Sequence, residues 1–279
     1  MDKYDVALVG GDLRTFMMAP FFEQKGYGVI YCKTLENVIK DAACVVGGIP
    51  LFKSGNLTTE DAEPVGSEEF LQFLQPGQML FGGVISDEVR MYCEKKGIVC
   101  HDFMQEETIA IFNAIATAEG TIFEAIRHKD TNIHSSPSLV MGYGRCAKVL
   151  ADKLKGLDAD VTVCARSKAA LSYANAAGLK TLELAMLKRR IAEFEYVYNT
   201  IPSLVITKDV MEQMRKDVLI IDIASGAGGV DYEAAEKMKV SAFLCPGLPG
   251  KYAPRASAQE LARYVMSVYT ADCPNRQSF

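Results

Sequence analysis

The sequence predicts an α/β protein built from two parallel-sheet domains with a cleft between them. Three observations carry that expectation. Short β-branched runs alternate with longer amphipathic segments, the pattern of strand–helix–strand units. One long helical pattern interrupts the alternation, and a second series of strands follows it. The 279 residues also lie near the upper limit for a single hydrophobic core, which suits two modest domains.

Taken in order, Asp5–Val9 reads as the first strand, closed by Gly10 and Gly11 and followed by a helix through Phe22. Gly28–Tyr31, Ala43–Val46, Met79–Phe81 and Ile98–Cys100 are further strands, each beside Gly or Pro punctuation. Gly55 to Gly66 is polar, contains Pro64 and reads as a surface excursion. From Glu106 to Arg127, Ile109, Phe112, Asn113, Ala116, Gly120, Phe123 and Ile126 recur at helical spacing. The polar run Lys129–Asn132 ends that helix. The second series comprises Ser138–Met141, Val161–Cys164, Tyr196–Tyr198, Val218–Asp222 and Ala242–Cys245. Ser257–Tyr269 is again amphipathic, and because the second sheet is complete before it, this helix is expected to return to the first. The domains are therefore expected at 1–127, completed by a C-terminal helix over 255–279, and at 128–254.

Thirty Lys and Arg against 35 Asp and Glu give a net charge of −5. That balance argues against partners that need a broad basic field, namely a nucleic-acid backbone or an anionic membrane. No uninterrupted apolar run approaches about 18 residues, so no membrane span is expected. Met1–Asp5 lacks the apolar block of a signal peptide, which points to the cytoplasm. The eight cysteines, Cys32, Cys44, Cys93, Cys100, Cys146, Cys164, Cys245 and Cys273, form no C-x-x-C pair and no finger spacing. They read as reduced, mostly buried thiols, and no metal is expected.

Gly142-Tyr143-Gly144-Arg145-Cys146-Ala147 has the form G-x-G-x-x-A, directly after a strand and opening a helix. This is the Rossmann-like dinucleotide turn: the first Gly permits the bend, the second admits a pyrophosphate, and Ala147 lets helix and strand pack closely. The helix N-terminus adds unpaired N–H groups. The next strand ends in Ala165-Arg166-Ser167-Lys168, with no acid at its tip. A carboxylate there would bind the ribose hydroxyls of NAD, whereas Arg166 and Ser167 suit a 2′-phosphate. NADP is therefore favoured over NAD. Two later strand tips complete the expected cofactor site: Asn199, Thr200, Ile201 and Pro202, and Asp222, Ala224 and Ser225 with glycines beyond.

In the first domain, Gly10-Gly11-Asp12 with Arg14 makes a second glycine turn, suited to a carboxylate at a helix N-terminus with Arg14 as bidentate partner. Gly83 to Ser86 forms a similar turn. Among three histidines, His101 follows a strand end and is the candidate acid–base, while His128 and His134 read as structural.

These residues resemble the family of bacterial dipicolinate synthase A subunits. The matching segments are Val9–Arg14, Ile109–Asn113 with Glu119–Thr121, Gly142–Arg145, Ala165–Ser167, Asn199–Ser203, Asp222–Ser225 with Gly228-Gly229, and Pro246–Gly250 with Ala253-Pro254. The resemblance implies a fold similar to alanine and 2-hydroxyacid dehydrogenases. It also implies an NADP-linked role in making dipicolinate from dihydrodipicolinate during sporulation, in partnership with a flavoprotein-like B subunit. Two substrate carboxylates then need holders: the Gly10–Arg14 turn for one and the Gly83–Ser86 turn for the other, with Pro249 as a wall against ring or substrate. His101 lies outside the matching segments, which leaves no obligatory acid–base. The alternatives are a different NAD(P)-dependent oxidoreductase of amino or hydroxy acids, and a non-catalytic nucleotide-binding subunit. Homo-oligomerisation stays open.

Overall fold

The computed structural model describes residues 4–32, 37–59 and 63–272. Its contacts divide into two compact units, Met1–Phe112 with Ala253–Phe279, and Asn113–Tyr252.

In the first unit β1 (Tyr4–Val9) leads into two short helices, α1 (Leu13–Met17) and α2 (Ala19–Glu23), with Pro20 in the first turn of α2 where no N–H is needed. Then come β2 (Val29–Cys32), β3 (Ala42–Val46), a small hairpin of β4 (Phe52–Lys53) and β5 (Asn56–Leu57), α3 (Ser67–Phe73), β6 (Met79–Gly82), α4 (Asp87–Lys96) and β7 (Val99–Asp102). The five long strands form one parallel sheet in the order β2-β1-β3-β6-β7. Alternate residues point to opposite faces and both faces are covered, so the strands are apolar on both sides. Val6, Leu8, Val46 and Phe81 pack on one side; Val9, Val45 and Leu80 meet Phe70 and Leu74 on the other.

The long helix α5 (Glu107–His128) serves both units. Ile109 joins the first core, whereas Ala118 and Ala125 join the second. The contact division accordingly falls inside the helix, after Phe112, instead of at its C-terminal end near residue 127. By length and composition α5 is apolar enough to cross a bilayer, although scattered polar residues interrupt its apolar runs. Its most apolar window is 56% buried, the pattern of a core helix.

The second unit contains β8 (Pro137–Met141), α6 (Arg145–Gly156), β9 (Asp160–Ala165), α7 (Lys168–Ala176), β10 (Lys180–Glu183), the single-turn helix α8 (Leu187–Arg190), β11 (Tyr196–Asn199), the single-turn helix α9 (Lys208–Met211), β12 (Leu219–Asp222), α10 (Tyr232–Met238), β13 (Ser241–Leu244) and α11 (Leu248–Tyr252). All six strands are parallel, in the order β10-β9-β8-β11-β12-β13. The winding reverses between β8 and β11, the switch point where open parallel sheets bind ligands. Register aligns the tips there: Asn199 lies opposite Met141 on one side and Asp222 on the other.

The last helix, α12 (Pro254–Asp272), packs Ala258, Leu261, Ala262 and Val265 onto the first sheet. The Tyr269 hydroxyl donates to Asp5 Oδ1 at 3.0 Å. The expected extension of this helix to 279, and Cys273, lie outside the described residues.

Candidate functional site

The glycine turn after β8 is built by two glycines with different reasons to be glycine. Gly142 sits at φ +91°, and a Cβ there would run into Thr200 Oγ1. That hydroxyl is fixed by donating to the Met141 carbonyl at 2.8 Å. Gly144 is the opposite case. Its backbone is extended (φ −80°, ψ −167°), which any residue adopts, and a Cβ would meet nothing within 4 Å. It is also the N-cap of α6 and offers no side chain to the first N–H groups of the helix. Neither conformation nor packing requires a glycine here. The first N–H groups of α6 are thereby left bare and open, an arrangement that can accept an anion. Ala147 is fully buried beside Leu150, the close helix–strand contact the motif needs.

At the tip of β9, Arg166 and Ser167 are exposed. Ser167 Oγ accepts from Ala170 N–H at 3.3 Å and so caps α7, leaving its hydroxyl proton for a ligand. Tyr143 and Cys146 are half-buried, and burial pushes the Cys146 thiol pKa up. Arg145 is exposed at the first position of α6.

The other two tips correct the expectation that Asn199 and Asp222 touch a cofactor. Both are fully buried. Asp222 accepts from Asn199 Nδ2 (2.9 Å), Ala224 N–H (3.0 Å), Gly229 N–H (2.7 Å) and the Tyr232 hydroxyl (2.9 Å). Asn199 also binds both polar backbone groups of Ile201, at 3.1 Å each. Their hydrogen-bonding capacity is spent on shaping the two loops, and the exposed surface is left to Pro202 and Ser225, with Ile201 partly covered. Gly229 is pressed so closely that a Cβ would lie 2.5 Å from Asn199 Nδ2 and from the Ile201 carbonyl. Tyr232, which nothing in the sequence pattern singles out, ties α10 to this network. Its burial and the Asp222 carboxylate both push its hydroxyl pKa far up.

In the first unit the expected carboxylate turns are closed by their own chain. The Gly10, Gly11 and Gly83 N–H groups donate to the Cys32, Thr58 and Gly48 carbonyls, so they are not free for a ligand. A Cβ on Gly10 would lie 2.5 Å from the Thr58 carbonyl, and one on Gly83 2.6 Å from Ile49 Cγ2. Arg14 is buried and paired with Asp12, its Nε and Nη2 lying 2.6–3.0 Å from the carboxylate, while Nη2 also donates to the Ile49 carbonyl at 2.9 Å. Only Nη1 makes no hydrogen bond among the described residues. Ser86 Oγ accepts from Val89 N–H at 3.4 Å as the cap of α4. The residue missed here is Asp102: it accepts from the Val84, Ile85 and Met104 N–H groups at 2.8–3.0 Å and pairs with Arg90 at 2.9 Å. This clamp holds Val84 at φ +56°, a rare conformation for a β-branched residue, with the residue 62% exposed. For Asp222 the signal was an Asp closing a strand before a glycine-rich turn; Asp102 is followed by no glycine turn in sequence and meets the Gly82-Gly83 turn only through strand pairing.

His101, the candidate acid–base, sits at the end of β7 among aromatic rings. Its ring stacks on Phe81 (centroids 4.7 Å, 15°) and meets Tyr264 edge-on, within an aromatic cluster between β7 and α12. His128 stacks on Phe243, and the exposed His134 lies 3.5 Å from Asp158. Pro249 is buried within α11, which is fastened to α5. There the buried Glu124 accepts from Lys251 Nζ at 2.6 Å and the Tyr252 hydroxyl at 2.5 Å. Burial works to raise the Glu124 pKa, but these hydrogen bonds outweigh it and hold the carboxyl below its ordinary value. Among the described residues no cluster of potential metal ligands occurs.

Residues 5–104 match the family model for the N-terminal domain of the dipicolinate synthase A subunit. A stretch of 158 residues is 41% identical to the A subunit of dipicolinate synthase from Bacillus subtilis (strain 168). That match spans 57% of this chain and 53% of the relative, about half of each. The crystal structure of the dipicolinate synthase A subunit from Bacillus halodurans superimposes with a TM-score of 0.84 at 28% identity, covering 95% of this chain and 97% of that one. An L-alanine dehydrogenase gives 0.62 at 13% identity, covering 98% of this chain and 90% of that one, a likeness of fold alone.

Proposed function

We propose that the chain is a dipicolinate synthase A subunit, which it resembles over its N-terminal domain and in fold, and that it oxidises dihydrodipicolinate to dipicolinate with NADP, working with a B subunit. The observation that carries the cofactor half of this reading is Gly144, which leaves the start of α6 bare and open at the G-x-G-x-x-A turn. Bare N–H groups at the start of α6 would hold the pyrophosphate, Arg166 and the Ser167 hydroxyl the 2′-phosphate, and the loops shaped by Asn199 and Asp222 the nicotinamide end. When bound, the nicotinamide supplies a hydride acceptor for a dihydropyridine ring, which becomes aromatic on losing hydride and proton. The chain's task is then to hold and orient its two ligands. Arg14 Nη1 is the donor left for a substrate carboxylate in the first unit.

The test is to incubate the pure chain with dihydrodipicolinate and NADP, with and without B subunit, and follow dipicolinate absorbance. Product is expected, and its absence in both cases would overturn the proposal. The packing of His101 favours a second reading, a nucleotide-binding subunit whose partner performs the chemistry. Product that forms only with both subunits, and persists when Gly144 is blocked by a bulky side chain, would favour that reading.

A further inference from the structure

Resting on the NADP reading, we propose that Lys148 is a second cation for the 2′-phosphate and so a specificity-determining residue. It follows Ala147 one turn into α6, and its ammonium is flanked by two rings, 5.7 Å from the centroid of Tyr143 and 5.8 Å from that of Tyr173. Tyr143 belongs to the glycine turn. Tyr173 stands on α7, the helix capped by Ser167 at the tip of β9. The ammonium is therefore held between the turn that would take the pyrophosphate and the helix that begins where the 2′-phosphate would sit.

Charge supports the same assignment. Among the described residues Lys148 makes no ion pair, and neither do Arg166 or Lys168; Lys153 on the same helix, by contrast, reaches Glu119 at 2.9 Å. Asp152, which acts on the Tyr143 hydroxyl, does not pair with Lys148. In a chain of net charge −5, three cations without an ion pair on α6, at the tip of β9 and at the start of α7 are available to an anionic ligand, although Glu183 at the end of β10 adjoins the same tip. Tyr173 is 69% exposed, an unusual expense of aromatic surface, and its ring face serves Lys148. The ammonium is a compact point charge that complements the planar fork of Arg166, so the two bind one phosphate in different ways. NAD lacks that phosphate and gains nothing from Lys148.

The experiment is titration calorimetry with four probes, NADP, NAD, adenosine 2′,5′-bisphosphate and ADP, against the full chain, K148M and Y173L. For K148M, NADP and the bisphosphate should weaken roughly tenfold, the loss of about one charge-assisted hydrogen bond, while NAD and ADP stay within about twofold. Y173L should show the same selective loss, smaller in size. An unchanged NADP affinity in K148M, or equal weakening of all four probes, overturns the role of Lys148. If the wild-type chain prefers NADP and K148M keeps the full preference, this inference falls and the cofactor reading stands. If the wild-type chain binds neither dinucleotide, or binds both alike, both fall. Lys148 is exposed, so an unchanged melting curve should accompany each loss of affinity.

Discussion

The turns after β1 and after β8 occupy the same place in their sheets, and each puts two glycines between a strand and a helix. They are opposites in what surrounds them. In the first, Gly10 and Gly11 both have positive φ, their N–H groups are bonded to Cys32 and Thr58, and added side chains would strike Thr58 and Thr15. In the second, only Gly142 is used in this way, and Gly144 faces open space. A glycine pair marks a ligand site only where the fold itself does not consume it. Behind each sheet's loops the framework is the same, a buried strand-tip aspartate holding several backbone N–H groups: Asp102 in one unit and Asp222 in the other.

The largest effect should come from removing those aspartates, and it should be alike in both units. Asp102→Ala and Asp222→Ala each strand several donors, and each is expected to lower stability by about 3–5 kcal/mol in urea unfolding. A loss below about 1 kcal/mol in either would mean water replaces the carboxylate and the parallel is only visual. Next comes Gly11→Ala. A Cβ at φ +79° would be strained and would collide with the Thr15 side chain. The expected cost is about 3 kcal/mol, read from the same unfolding curves. The third runs the other way. Val84 is held by Asp102 at φ +56°, so Val84→Gly should raise stability by about 1 kcal/mol. A lowered melting temperature would show that the exposed side chain makes contacts worth more than the strain.

Much of this comparison was legible in the sequence and some was not, for physical reasons. The β-branched runs located the strands of both large sheets with one exception, Lys180–Glu183, a polar edge strand with one buried position; the separate hairpin of Phe52–Lys53 and Asn56–Leu57 was not located. Periodicity found α5 but could not say where its contacts change partner, because Ile109 and Ala118 look equally apolar in one dimension. The G-x-G-x-x-A spacing found the open turn because spacing encodes backbone shape. The Asp12 partner of Arg14 is local, two residues away, but nothing local could show that Arg14 also reaches the Ile49 carbonyl or that His101 stacks on Phe81, since those partners lie far along the chain.

The smallest expected change in stability is the one that tests the comparison most directly. Gly144→Ala places a methyl where nothing lies within 4 Å, on backbone that alanine adopts freely. Alanine is a somewhat poorer N-cap than glycine, so stability should fall by no more than about 0.5 kcal/mol. Dinucleotide affinity should nevertheless fall roughly tenfold, for NADP and NAD alike, because the methyl holds the pyrophosphate off the α6 N–H groups. Here selectivity between cofactors is unaffected, in contrast to Lys148→Met, so the two substitutions separate the shared pyrophosphate from the 2′-phosphate. A stable Gly144→Ala protein with full affinity would leave the open turn without a ligand to explain it, and the contrast with the closed turn of the first unit would lose its functional meaning.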